Sequence, residues 1–153
     1  MSLYAILKYL HVLSAIVAFG ANITYALWLT RAEKNPESLT FTLHTVKFMD
    51  DWIANPAYIL LFPTGWWMAS IAKWPLTTPW ILSALILYAL VSVLGIAVYS
   101  PILRKQVALA ETVGPQTAEY KKASSRGILL GVILNLIVLA IIFLMVTKPA
   151  LWS

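Results

Sequence analysis

The sequence predicts an all-α integral membrane protein, a four-helix bundle with both termini on the outer side of the membrane. Three observations predict it. The 153 residues are 61% hydrophobic and 11% charged, with a mean hydropathy of +0.82, whereas an ordinary soluble domain has about a quarter charged residues. Four apolar runs, each near the ~20 residues that cross hydrocarbon, use up the length as a single domain over 1–153. Basic residues concentrate in two of the connections between those runs.

The first run, residues 3–29, lacks a basic stretch before it and a small-residue cleavage site, so it is expected to stay as a spanning helix. After it comes RAEKNPESLTFTLHTVKFMDD. There Pro36 follows a turn at Asn35, and Ser38 is expected to cap a helix running toward Asp51 as a cytoplasmic extension of the second span. The second span, 52–71, carries Pro56 and Pro63, which remove backbone donors and are expected to bend it. Residues 71–79, IAKWPLTTP, read as a tight turn before the third span, 80–103. Residues 104–126 read as a longer polar connection broken at Gly114-Pro115. The fourth span is 127–146.

Orientation follows from the basic residues. Arg31, Lys34, Lys47, Arg104, Lys105, Lys121, Lys122 and Arg126 fall in the first and third connections, against Lys8, Lys73 and Lys148 at the other face. The positive-inside rule puts the two long connections in the cytoplasm and both termini outside, as a multi-pass protein of the cell's inner membrane. Trp66, Trp67, Trp74, Trp80 and Trp152 gather at the outer face as interfacial anchors, with Trp28 and Trp52 at the inner one.

Several function classes lose support. Cysteine is absent, which removes thiolate metal sites, cysteine nucleophiles and disulfides. The net charge of +5 lies in connections flanking apolar runs, where anionic lipid headgroups rather than nucleic acid are the expected counter-charge. All six acidic residues, Glu33, Glu37, Asp50, Asp51, Glu111 and Glu119, fall in the cytoplasmic connections. A proton- or sodium-coupled transporter, or a hydrolase built on paired carboxylates, would want such groups at depth.

The ionisable group inside a span is His11, roughly 12 Å along the first helix from its outer end at 1.5 Å per residue. His11, Ser14, Ala18, Asn22 and Tyr25 recur at three- and four-residue steps, a small and polar stripe expected to face the bundle. The third helix offers Tyr88, Ser92, Gly95 and Tyr99, and the fourth Gly127, Gly131 and Asn135. Close helix packing accounts for the glycines, while Asn135 could bridge helices or orient a ligand. His11 itself is either a ligand or a histidine hydrogen-bonded to a neighbouring helix. Lys8, one turn nearer the outer interface, either snorkels to water or meets an anionic group. The pair suits a haem, whose iron takes a neutral imidazole nitrogen and whose propionates seek cations at the interface. His44 lies in the cytoplasmic segment, and the inner end of the first span is roughly 27 Å from His11, so the two are not expected to share an iron. Met49, Met68 and Met145 are weak candidate axial ligands, with Met68 the best placed.

The opening KYLHVLSAIVAFGANITYALW, the central MDDWIANPAYILLFPTG and the ending IIFLMVTKPA resemble an uncharacterised family of small predicted integral membrane proteins, a domain of unknown function. More distantly the landmarks are similar to the HemJ-type protoporphyrinogen oxidases and, in the first helix, to CopD-type copper-resistance membrane domains. The HemJ resemblance rests on Lys8 and His11, on Met49, Trp52, Asn55, Pro56 and Gly65 of the second helix, and on the terminal Lys148-Pro149. It implies haem b bound through the His11 position. The chain departs from the HemJ pattern around the third helix, where it has Tyr88, Ser92 and Tyr99 and no histidine.

The leading expectation is therefore a bundle that binds one b-type haem, with His11 and Met68 as candidate metal ligands. Lys8 is assigned to the propionates, and Asn22, Tyr88 and Asn135 to the lining of the haem cavity. Electron transfer, oxidation of a porphyrin or quinol, and haem sensing all remain open to such a site. The alternative is a cofactor-free module or accessory subunit acting through helix association, and a third reading is a small exporter or channel. The lipid bilayer is the expected partner, with a homo-oligomer or a larger membrane complex beside it.

Overall fold

The structure, a computed structural model, describes residues 2–152. Its elements are α1 (Leu3–Ala32), α2 (Pro36–Met49), α3 (Asn55–Ile71), α4 (Pro79–Leu94), α5 (Ser100–Thr112) and α6 (Ala118–Thr147), with no strand among the described residues. Two five-residue π-helical turns, Asp50–Ala54 and Gly95–Tyr99, join α2 to α3 and α4 to α5. The molecule is thus four rods, the all-α bundle the sequence predicts.

Each π turn has a local cause. The Asn55 N–H bonds back to the Asp50 carbonyl and the Ser100 N–H to that of Gly95, and in both cases the next residue is a proline, Pro56 or Pro101. Proline has no N–H, and its ring collides with the carbonyl four residues earlier in a regular α-helix. Slipping the ladder by one residue removes the collision. Pro56 therefore changes the helix register, where a bend was expected. Pro63 lies inside α3, and beside it the Thr64 hydroxyl donates to the Leu60 carbonyl at 2.6 Å.

Three helices are long and apolar enough to cross a membrane: α1, the rod Pro79–Thr112, and α6. At 17 residues α3 extends only about 25 Å, short of the ~30 Å of hydrocarbon unless the π turn is added.

The connections contain more helix than expected. Residues 104–112, read as part of a polar connection, continue the third rod as α5, burying Leu103, Gln106 and Ala110 on one stripe. The break does fall at Gly114, whose φ of +87° lets its N–H reach the Leu109 carbonyl. Thr117 then caps α6 by accepting from the Tyr120 N–H. Ser38 caps nothing, because α2 already begins at Pro36 and the Ser38 hydroxyl donates to the Asn35 carbonyl within the first turn.

These extensions hold the largest fully buried side chains among the described residues. Leu39, Leu43 and Val46 of α2, Leu103 of α5 and Tyr120 of α6 are fully buried together with Tyr25, Leu29 and Ala32 at the end of α1. His44 of α2 meets Glu111 of α5 at 2.7 Å on the exposed flank, so it serves the extension, as its distance from His11 required. Burial of apolar surface drives packing only where water is the alternative. Within the apolar halves the helices instead pair closely, α1 on α3 and α4 on α6.

At the opposite end α3 stops at Ala72. Lys73 takes a left-handed φ of 55°, and the N–H groups of Lys73 and Trp74 return to the carbonyls of Ser70 and Ala69. Lys148 closes α6 with φ 47° and sets its ammonium 4.5 Å from the Trp74 ring centroid and 5.4 Å from that of Trp80. Trp74 and Trp80 pack edge to face at 5.3 Å. Two of the predicted interfacial tryptophans thus also tie the end of α6 to the α3–α4 turn.

Candidate functional site

α1 buries Leu7, Ser14, Ala18, Ala21, Tyr25, Leu29 and Ala32, with His11 and Asn22 half-buried among them. The stripe predicted from spacing therefore does face the bundle. His11 falls against α3. Its Nδ1 lies 2.9 Å from the Thr64 hydroxyl oxygen, and a Cβ added at Gly65 would stand 3.0 Å from its Cε1. Pro63, Thr64 and Gly65 together make this seat: the proline leaves a gap in the backbone ladder, and the glycine admits the ring flat against the helix.

The hydrogen bonds around Thr64 orient the ring. A threonine hydroxyl has one proton, and Thr64 donates its own to the Leu60 carbonyl at 2.6 Å. With the hydroxyl proton there, the hydroxyl oxygen accepts from His11 Nδ1–H, the tautomer in which Nε2 is unprotonated. Nε2 keeps its lone pair and has no protein hydrogen-bond partner among the described residues. A neutral imidazole whose far nitrogen is held by a hydrogen bond is the form that binds metals.

The remaining candidates divide. Lys8 is exposed one turn before His11 on α1, and Met68 is half-buried one turn after Thr64 on α3, both toward the same end of the bundle. Asn22 lies about 16 Å from His11 along α1. Its amide donates to the Tyr58 hydroxyl at 3.1 Å, and the Tyr88 hydroxyl donates to the Tyr58 carbonyl at 2.9 Å. Asn22, Tyr58 and Tyr88 thus strap α1, α3 and α4 together. Asn135 donates to the Gly131 carbonyl at 2.9 Å on its own helix and, with Asn22, lines a cavity of about 170 Å³ between α1, α5 and α6. Tyr88 and His11 are not in that cavity's wall. The residues assigned to one haem cavity therefore occupy three places.

Three participants were not read from the sequence. Thr64 and Tyr58 are the partners just described. Asp50, counted with the solvated cytoplasmic acids, is 6% exposed at the first π turn. Its carboxylate has the Asn55 amide at 3.5 Å. Burial raises the Asp50 pKa above the ordinary carboxylate value, and the neighbouring Asp51 adds to the rise against Lys47 and Asn55.

The donor set fits haem on one side. It offers one neutral imidazole nitrogen for iron and one lysine near the helix end for propionates, and no group of three histidine, aspartate or glutamate side chains able to hold a bare metal ion occurs among the described residues. The description of a predicted integral membrane protein, DUF2269, matches residues 5–149. The chain belongs to this family. No curated protein and no solved structure matches the chain. As a DUF2269 member the chain is an integral membrane protein, and the His11–Thr64–Gly65 seam lies wholly within the matched region.

Proposed function

We propose that this DUF2269 protein binds one b-type haem through Nε2 of His11, with Lys8 toward the propionates. The observation that carries the reading is the His11–Thr64 hydrogen bond, because it engages Nδ1, orients the ring and leaves Nε2 without a protein partner among the described residues. The motif likeness to HemJ-type proteins, through Lys8, His11 and the Asn55-Pro56 step, supports it. Haem, when bound, supplies one-electron redox chemistry; this chain's residues orient the imidazole, hold its proton at Nδ1 and shelter the ring between two helices. Met68, half-buried toward the same end of the bundle, would be the candidate for a further protein ligand to such a haem. In this reading α3 is a fourth span and both termini face outward, supported by the bias of basic residues toward the connections that carry α2 and α5. The membrane is the cell's inner one.

A second reading has its own observation. The contact of the His11 ring with Gly65 and Thr64 is also what a fastener between α1 and α3 needs, as in a cofactor-free module or accessory subunit. A haemin titration of detergent-purified protein separates the two. The haem reading expects a saturable one-to-one Soret band that His11→Ala abolishes. Haemin uptake that is unsaturable, or equal in His11→Ala, assigns the ring to packing.

A further inference from the structure

The cavity between α1, α5 and α6 has a chemistry of its own. Its wall includes Asn22, Tyr25, Tyr99, Gln106, Gly131 and Asn135, and its volume of about 170 Å³ is close to the ~150 Å³ that accommodates a single benzene-sized ring. Tyr25 and Gln106 are each 2% exposed, yet the Tyr25 hydroxyl and the Gln106 Oε1 have no hydrogen-bond partner, and neither has the Asn135 Oδ1. Native structures rarely leave such buried groups unpaired. Here the three residues that carry them line one cavity.

The senses of the two amides are fixed by backbone carbonyls. Gln106 Nε2 donates to the Ala123 carbonyl at 3.0 Å and Asn135 Nδ2 to the Gly131 carbonyl at 2.9 Å. Each carbonyl partner can only accept, so a flipped amide would lose its bond. The free atoms are therefore two amide oxygens that accept and a phenol that can do either. No charged residue lines the space. Ile23, Val132 and Leu136, which also line it, are roughly half exposed on the apolar flank, so the cavity opens between α1 and α6 toward lipid. An occupant matching these features is uncharged, enters from the bilayer, and donates hydrogen bonds from a small polar head.

We propose that this cavity is a binding site for a lipid-phase amphiphile with a ring-sized hydroxylated head, its O–H groups donating to Gln106 and Asn135 and its apolar tail leaving between α1 and α6. The site is independent of His11, which is about 20 Å from Tyr25 along α1.

Thermal unfolding of the purified full chain tests it with two matched probes, 4-hexylresorcinol and its dimethyl ether, which share ring and tail but differ in O–H donors. The diol is expected to raise the unfolding midpoint by roughly 5–10 °C at a hundredfold excess over Kd, and the ether far less. Tyr25→Phe and Asn135→Leu should each weaken the diol roughly 5- to 10-fold. Gly131→Leu, which fills the space beside Tyr99, should abolish the shift. His11→Ala should leave it intact, so that loss of haem binding and loss of this site are read separately. Equal shifts from both probes, no shift from either, or a diol shift that survives both Tyr25→Phe and Asn135→Leu would overturn the proposal.

Discussion

His11 Nδ1 and Thr64 Oγ1 lie 2.9 Å apart across the α1–α3 seam, and with the threonine proton on the Leu60 carbonyl the hydroxyl oxygen accepts from the ring. The imidazole is thus held by a residue 53 positions away that has no charge to announce it. Thr64→Val keeps the shape and removes the acceptor. The variant is expected to lose about 0.6–1.7 kcal/mol in unfolding, the range for such bonds between membrane helices. On the haem reading its haemin affinity falls roughly 10- to 100-fold, as for other partners that orient a ligating histidine. Titration at the Soret band alongside a melting curve checks both.

Gly65 and Gly20 make a matched pair. A methyl at Gly65 would meet the His11 ring at 3.0 Å, whereas one at Gly20 meets nothing within 4 Å. Gly65→Ala is expected to destabilise by about 1–3 kcal/mol as the ring is displaced. Gly20→Ala should be neutral or stabilising by up to ~1 kcal/mol through helix propensity. Parallel melts of the two variants test the seam without any cofactor.

Asp50 gives the protein a pH dependence of definite sign. Its folded pKa is raised above the ordinary carboxylate value of 3.8, so between that value and the folded pKa the folded state holds more protons than the unfolded one. The contribution of Asp50 to stability is complete below pH 3.8 and is lost as pH rises through the folded pKa. Asp50→Asn should therefore be more stable than the parent at pH 7, and the difference should shrink as the pH is lowered. Unfolding midpoints of both proteins from pH 4 to pH 8 show whether it does.

The orientation is tested apart from any ligand. Paired reporter fusions, one active only in the cytoplasm and one only outside, are expected to place both the C-terminus and the 72–78 turn outside and the 113–117 turn inside. A cytoplasmic C-terminus would mean that α3 fails to cross.

Much of the fold was legible because it depends on short-range pattern. The stripe from His11 to Tyr25 follows from helical spacing, and the break at Gly114 from a residue that adopts positive φ freely. The α5 extension was not legible. Arg104, Lys105 and Glu111 look like a connection, and the stripe of Leu103, Gln106 and Ala110 becomes a reason to stay helical only once α2 lies beside it. Likewise Asp50 beside Asp51 looks solvated until the π turn rotates it inward. At the site, His11 stood out as a lone ionisable group in an apolar run. Thr64 carried only the weak signal of its place between Pro63 and Gly65, and the separation of Asn135 from His11 required the packing of α1 against α6.

The most direct test of the haem assignment is the visible spectrum of the protein purified from haem-replete cells, before and after dithionite, for the parent chain and His11→Ala. The account predicts a Soret band with sharp reduced α and β bands in the parent and their loss in His11→Ala at unchanged helicity. A colourless parent protein that also takes up no added haemin, or identical spectra for the two, would contradict it.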